Sequence, residues 1–545
     1  MPLSRTTVGD LLDEVASRFP ENEALVDLSK GIRFSYGDFL RTVNQLSKGL
    51  LKTEIRKGDH VALWSPNRWE WIITQFALAK IGAVLVSIDT NSQLPQLEYL
   101  LRQSDSGTLV MTEGQKGIDY LEMIHQLCPE IGRSIPGQSR CAVLPELRTL
   151  VLISDRAHPG MLLWKEVLET GKEFPDPELS RRQRSCSEEG GVTLLYTSGT
   201  TGAPKGVMSS HFGIINTTLA SAENQGLTEQ DRLCLSVPLS HMFGSICITL
   251  AALSKGAALV LPSSASDALS LMEAIETERC TALYGSPTLF MSIMDHPEAS
   301  RFHLNTLRTG IMGGAQCPIE VMKRVVEEMG MKEIVIGYGQ TESSSWMTQT
   351  LPDDPLELRV STAGRPLPNV DVKIIDPVSG QEVPRGTVGE ICGRGFNMNG
   401  YYKMPAATAN AIDPEGWLHT GDLGTMDAQG YLRISGRMKE VINRGGEIIY
   451  PTEIEEVLFT HPMVANIQIF GVPDKKLGEE VAAWIKAEEG KTVTENEILR
   501  YCRDKLPPSH APRYIKFVKE FPMTPLGKVQ KFRMRELAIK EYGLE

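Results

Sequence analysis

No Cys-x-x-Cys pair occurs in this 545-residue chain. Its nine cysteines stand singly at 128, 141, 186, 234, 247, 280, 317, 392 and 502, so a zinc-ribbon or dithiol redox motif has no support. An odd, unclustered set fits a reducing compartment, with most cysteines serving as small buried hydrophobes, and a cytoplasmic location is expected. No apolar run approaches the roughly 18 residues that a membrane-spanning helix needs. Basic residues are the minority charge: 56 Lys and Arg stand against 68 Asp and Glu, a formal net charge of −12. That balance argues against a general nucleic-acid binder or a polybasic membrane binder, although an anionic cofactor would still need a local basic channel. The opening stretch, MPLSRTTVGDLLDEVASRFP, lacks an apolar h-region and carries acidic residues, unlike a secretory or transit segment. It reads as an amphipathic helix capped by Thr7, with Leu11, Leu12, Val15 and Phe19 on one face. The final YGLE is not a peroxisomal address.

What is present is an ordinary globular composition, 41% hydrophobic and 23% charged, at a length that predicts two to four domains. Two stretches echo each other, 59–89 and 231–263. Each reads as a short apolar strand, a proline turn, an apolar helix, a glycine and a second apolar strand. That is the strand–helix–strand unit of a parallel sheet, and its repetition predicts two related α/β subdomains. LRTGIMGGAQCPIEVMKRVVEEM and KEIVIGYGQTESS predict further strands, each ending in a glycine-bracketed loop. Ligands of open α/β sheets bind at the carboxyl ends of strands, so the loops after Tyr196, Met312 and Ile336 are expected to converge. From about Val370 short strands separated by Gly, Pro and Asp predict a small antiparallel or barrel-like section. After a boundary near 437–439 the texture turns to a small α+β domain, whose TENEILRYCRDKL segment opens with a Thr494–Glu497 capping box.

The stretch LLYTSGTTGAPKGV, 194–207, supplies chemistry. Glycines let backbone N–H groups approach phosphate oxygens closely. Thr197, Ser198, Thr200 and Thr201 add hydroxyls, and Lys205 adds a mobile positive charge. The spacing is not G-x-x-x-x-G-K-[ST], so this is not the ATPase phosphate loop.

In order along the chain come YTSGTTGAPKG, GYGQTES, GWLHTGDLG, YLRISGRMKEVINRGGEIIYPTEIE and PLGKVQK. The ordered set, spanning roughly residues 10 to 540, closely resembles the adenylate-forming acyl-CoA synthetase superfamily, which includes acetyl-, fatty-acyl- and aryl-CoA ligases and firefly luciferase. The resemblance implies an α/β fold: a large N-terminal domain, 1–436, holding two related α/β subdomains and the β section, and a small mobile C-terminal domain, 437–545. It implies a two-step reaction in which a carboxylate and ATP give acyl-AMP and pyrophosphate, and coenzyme A then displaces AMP. The expected co-substrates are ATP and coenzyme A, with Mg2+. A carboxylic acid is the expected small-molecule partner, nucleic acid is not, and a homodimer is an expected assembly that no sequence feature selects.

Carried over position by position, the resemblance implies that Thr197, Ser198, Gly199, Thr200, Thr201, Gly202 and Lys205 hold the β- and γ-phosphates. Gly313, Gly314 and Ala315 would line the adenine pocket with Gly337, Gly339 and Gln340, and Tyr338 would stack on the base. Thr341 would contact the α-phosphate. Glu342, with Thr201, would hold Mg2+, a hard cation that prefers oxygen donors. Asp422 would accept both ribose hydroxyls, Arg437 would contact ribose or phosphate, and Lys439 would be the hinge between domains. Lys528 would bridge carboxylate and α-phosphate as charge develops. His241, Phe243, Cys247, Ser345 and Trp346 would border the acyl group, with His241 counted among the catalytic residues. No cation waits there for a second carboxylate, so a monocarboxylic acid with an apolar body is expected, medium-chain, cyclic or aromatic if Trp346 shortens the pocket. Where luciferase and plant aryl-CoA ligases carry K-x-K-G, this chain reads Asn443-Arg444-Gly445-Gly446. Gly445 and Gly446 would line a narrow passage for pantetheine, with Arg444 near a CoA phosphate. A stand-alone enzyme that loads a carrier protein carries the same motifs and is the alternative. A regulatory ATP-binding protein without activity is disfavoured by the intact Lys205, Glu342, Asp422 and Lys528.

Overall fold

The structure is a computed structural model and describes residues 2–197, 203–265, 267–315, 317–488, 490–523 and 529–544. The N-terminal helix Val8–Arg18 starts where Thr7, in extended conformation, accepts the Asp10 N–H on its hydroxyl. Such a cap is worth about 1 kcal/mol. Leu11, Leu12 and Val15 are buried on the inner face, and Phe19 is half-buried.

Both echoing stretches fold as expected. In the first, strands His60–Trp64 and Val84–Ser87 pair in parallel, joined by the helix Trp69–Ile81. Residues 70–81 of this helix are all buried, as befits a helix apolar on every face. It stops at Gly82, whose φ of 69° provides the left-handed turn. In the second, Arg232–Cys234 pairs in parallel with Ala258–Leu261. Here the connection is one π-turn, Phe243–Ile248, running into the α-helix Thr249–Ser254. The two units belong to different sheets, the first to an eight-stranded and the second to a nine-stranded one. One apolar core contains Trp71 and Phe76 from the first connection and Ile246 and Leu250 from the second.

Beyond Val370, strands Asp371–Ile375, Gly389–Arg394, Leu418–Met426 and Leu432–Arg437 form an antiparallel four-stranded sheet in that order. A single 3-10 turn, Met438–Glu440, follows. The chain then enters another sheet, beginning with the hairpin Ile442–Arg444/Glu447–Ile449. Gly445 and Gly446 make its two-residue turn with φ of 64° and 93°, a conformation that β-carbons resist. The strands Val464–Asp474 and Gly478–Ala487 pair antiparallel, and Tyr514–Phe517 adds in parallel to the latter. Ile442, Ile454, Leu458, Ile467, Ile485 and Ile498 form a core separate from the large one. Thr494 and Glu497 make the expected reciprocal cap on the helix Glu495–Lys505.

Five of the seven free cysteines are buried, as expected. The remaining two of the nine cysteines differ from the expectation of single cysteines: Cys128 and Cys141 are joined by a disulfide, S–S 2.00 Å. The 3-10 turn Pro129–Arg133 directs the chain back on itself between them, a local path that a 13-residue spacing does not announce. Cysteine usage therefore carries no argument about compartment. Among the described residues no helix is long and apolar enough to cross a membrane.

Candidate functional site

Strands Gly191–Thr197 and Lys205–Ser210 form a hairpin with Thr197 opposite Lys205. The connecting Ser198, Gly199, Thr200, Thr201 and Gly202 lie outside the described residues, as does Lys528. The hairpin's second strand pairs with Gly400–Tyr401. This places the Tyr401 ring under the Lys205 ammonium, 4.8 Å from Nζ to the ring centre. The Tyr401 phenol donates to Glu342 Oε1 at 2.9 Å, and the Thr197 hydroxyl reaches the same oxygen at 3.4 Å. Burial, then the Glu342 charge, drives the Tyr401 phenol far above its ordinary pKa, so it stays protonated and remains a donor. Thr197 and Glu342 thus meet, and Lys205 is joined to them through Tyr401. Tyr401 completes the group and was not expected; the only signal for it is an aromatic pair after Asn-Gly.

Glu342 sits in the one-turn helix Thr341–Ser343 that ends the strand Glu333–Gln340. Thr341 is buried beside it. The next two residues are strained: Ser344 has φ of 55° and Ser345 φ of 122°. Left-handed residues with a β-carbon cost about 1–3 kcal/mol each. A cluster of hydroxyls offsets that cost. Thr217 donates to the Ser344 carbonyl at 3.0 Å, Ser345 donates to Thr217 Oγ1 at 3.1 Å, and Ser343 donates to the Ser345 carbonyl at 2.9 Å. The kink reverses the chain into the strand Ser345–Gln349, which pairs antiparallel with the strand before it.

That reversal lays Trp346 over the glycines. A β-carbon on Gly337 would stand 2.9 Å from the indole, and one on Gly313 3.1 Å from it. A β-carbon on Gly339 would stand 1.9 Å from the Ser345 carbonyl oxygen. These positions accept only glycine because of what packs on them. Phe243 meets the indole edge-on, centroids 5.4 Å apart at 89°. Cys247 lies one helical turn further, its thiol pushed far up by burial and partly relieved by a hydrogen bond with Ser345. His241 Nδ1 accepts the Phe243 N–H at 3.1 Å. Gly314 and Ala315 are exposed just beyond Gly313. Phe243 thus meets Trp346, Cys247 meets Ser345, and His241 adjoins Phe243.

On the other side of the same strand, the buried Tyr338 phenol donates to Asp422 Oδ2 at 2.9 Å. Arg437, opposite Asp422 in the sheet, brings Nε to 3.2 Å from Oδ1. Lys439 is exposed in the turn that follows. Arg444 is engaged elsewhere: its guanidinium makes bonds of 2.5 and 3.2 Å to Glu480, a carboxylate only 2% exposed. A CoA phosphate would have to compete with that carboxylate.

Comparison with known proteins agrees with this geometry. The AMP-binding enzyme family matches residues 12–402, and the AMP-binding enzyme C-terminal domain matches 453–528. YngI of Bacillus subtilis, which carries a provisional acyl-CoA synthetase name, is 46% identical over 543 residues, 99% of each chain. The mitochondrial medium-chain acyl-CoA ligase ACSF2 of Danio rerio is 38% identical over 546 residues, 100% of this chain and 90% of that one. The crystal structure of the anthranilate CoA ligase AuaEII with anthranoyl-AMP superposes with a TM-score of 0.87 at 26% identity, covering 100% of this chain and 99% of that one. Ordered motifs, assembled site and relatives agree: the chain belongs to the AMP-binding enzymes of the adenylate-forming superfamily, and it is an acyl-CoA synthetase, an acid–thiol ligase.

Proposed function

We propose that this enzyme activates a compact monocarboxylic acid, medium-chain above all, by way of its acyl-adenylate. The observation that carries the reading is the stretch 338–346. Within it Tyr338 faces the Asp422–Arg437 pair, Glu342 faces Thr197 and the Tyr401 phenol beneath Lys205, and Trp346 faces Phe243. Nucleotide, phosphate and acyl functions thus stand side by side along one strand–turn–strand.

In the first half-reaction a carboxylate oxygen attacks the α-phosphorus of ATP and pyrophosphate leaves. Asp422 accepts the ribose hydroxyls, and Lys205 neutralises the departing phosphates. Thr341 and Lys528 stabilise charge at the α-phosphate. The half-buried Glu342 carboxylate and the Thr197 hydroxyl offer oxygen donors that fit Mg2+, and the ion would supply charge neutralisation at the phosphates. In the second half-reaction the CoA sulfur attacks the acyl carbon, the thiol proton passes to solvent and AMP leaves. Residues 437–545 move as a unit about Lys439 between the steps, with Gly445 and Gly446 beside the pantetheine arm.

The acid is expected to be short of a long chain because Trp346 is only 5% exposed, closing the space above Gly313 and Gly337. The relative named for medium-chain acids supports the same class. The test offers the purified enzyme acetate, hexanoate, octanoate, palmitate and benzoate with ATP and Mg2+, with and without CoA. Pyrophosphate release is expected to peak with the medium acids, and AMP and acyl-CoA to accumulate only with CoA. A peak at palmitate would overturn the substrate class; no acid-dependent pyrophosphate would overturn the assignment as a whole.

A further inference from the structure

On the small antiparallel sheet, Cys392 lies directly opposite His419. Glu390 precedes Cys392 by two residues and projects to the same face. A shift of register between Glu390 and Cys392 brings its carboxylate across to the imidazole. Cys392 Sγ is 3.7 Å and Glu390 Oε2 2.9 Å from His419 Nδ1, and the three atoms all lie within 4.8 Å of one another. Donors sharing one tetrahedral ion at about 2.0–2.3 Å stand about 3.3–3.8 Å apart, so small side-chain movements suffice.

We propose that Glu390, Cys392 and His419 form a binding site for a borderline-soft divalent cation of the zinc class. The surroundings are organised for one. His419 Nε2 faces Asp413 Oδ2 at 3.8 Å, the carboxylate–imidazole arrangement that orients a metal ligand. Asp413 is itself held because Oδ1 accepts the N–H groups of Glu415 and Trp417 at 3.0 and 2.8 Å. The second oxygen of Glu390 is held by the Gly421 N–H at 3.1 Å. Negative charge stands close by: the Glu390 carboxylate is bonded to His419 and the Asp413 carboxylate faces its other ring nitrogen. The opposing cation is Lys373, whose ammonium lies over the Trp417 indole at 4.2 Å.

A donor set of sulfur, nitrogen and oxygen selects zinc or cobalt over magnesium or calcium. Binding displaces the Cys392 thiol proton to solvent. The His419 Nδ1 proton reappears on Nε2, on the side that faces Asp413. Three protein ligands leave a fourth position for water, reached past the part-exposed His419. The ion would fasten the strand that carries Asp422, using none of the groups around Glu342.

The test strips the full-length enzyme with chelator and titrates it with Co2+ without nucleotide. One retained equivalent is expected, with a thiolate-to-cobalt charge-transfer absorption, displacement by Zn2+ and one proton released. Cys392→Ser should abolish the absorption and Cys317→Ser should keep it. Glu390→Gln, which leaves the buried thiol in place but removes a ligand charge, should weaken binding by at least about tenfold, the lower bound for loss of even an outer partner. Zn2+ should raise the Tm of the parent protein. Absence of a retained equivalent in the parent protein, or an absorption that survives Cys392→Ser, would overturn the site.

Discussion

The phenol of Tyr338 and the carboxylate of Asp422 are bonded to each other, 2.9 Å from Oη to Oδ2, while Arg437 holds the other oxygen. The carboxylate proposed to receive the ribose is therefore held in place by both neighbours. On that proposal ribose hydroxyls would exchange for existing bonds and would not have to organise a loose side chain. Burial comes first and the Asp422 charge second in keeping the phenol protonated.

Asp422→Ala should accordingly raise the KM for ATP about tenfold to a hundredfold, the equivalent of about 1.5–3 kcal/mol for hydrogen bonds to a charged acceptor. Tyr338→Phe keeps the ring and the charge and should change that KM only a few-fold. Initial rates of pyrophosphate release against ATP concentration measure both. Equal losses in the two variants would show that the phenol, and not the carboxylate, is the principal contact.

Tyr401 serves two neighbours at once. Tyr401→Phe removes the bond to Glu342 but leaves the ring beneath Lys205, so the Mg2+ concentration for half-maximal adenylation should rise about three- to tenfold, at about 0.5–1.5 kcal/mol for one hydrogen bond. Tyr401→Leu also removes the cation–π contact and should raise the KM for ATP further. Thioester formation from supplied acyl-AMP should be unaffected in both. A loss shared equally by the two half-reactions would mark Tyr401 as a structural residue only.

Trp346→Ala should move the preferred acid toward longer chains. The indole is packed over Gly313 and Gly337 and against Phe243, so its removal opens space within the pocket. Truncating a buried aromatic costs about 3–5 kcal/mol, so Tm should fall as well. An unchanged chain-length profile together with the lower Tm would place Trp346 in the core and not in the pocket wall.

His211 predicts a pH dependence of stability. Burial lowers its pKa from 6.5 to about 4, with Asp10 opposing only weakly, and Nδ1 accepts the Val8 N–H at 3.1 Å. The folded protein needs this imidazole neutral, whereas the unfolded chain protonates it below 6.5. The contribution is therefore whole above pH 6.5 and is lost as pH falls toward about 4. It amounts to about 3 kcal/mol at 1.36 kcal/mol per pKa unit. Urea unfolding across this range should steepen in the parent protein and flatten in His211→Gln.

These side chains differ in how legible they are in the sequence. The paired strand–helix–strand units at 59–89 and 231–263 are legible because hydrophobic period and glycine stops are local signals. Asp422, Glu342 and Tyr338 are legible because they sit in an ordered set of motifs. Tyr401 is not, since its bond to Glu342 joins residues 59 apart. Nor is the Ser344–Ser345 kink, which depends on Thr217 more than 120 positions away. The Cys128–Cys141 bond and the meeting of Glu390, Cys392 and His419 follow the same logic. Absence of Cys-x-x-Cys excludes ligands that are neighbours in sequence, not ligands that become neighbours across two strands.

The turn Met438–Glu440 joins two sheets with separate cores, and this sets the last prediction. On the proposed mechanism one site would hold Lys528 at the α-phosphate and later admit the CoA thiol, and a stationary lysine would obstruct that path. The proposed rotation about Lys439 would resolve the conflict, with few dihedrals absorbing a large change. Proline at 439 would fix φ near −65° and disfavour the helical backbone of Met438 before it. Lys439→Pro should therefore retain adenylation, read as pyrophosphate release, and lose most thioester formation from supplied acyl-AMP. Lys528→Ala should do the converse, and Lys439→Ala, which leaves the backbone free, should retain both. If Lys439→Pro and Lys528→Ala slow the same half-reaction equally, alternation about Lys439 is not how this enzyme passes from one half-reaction to the next.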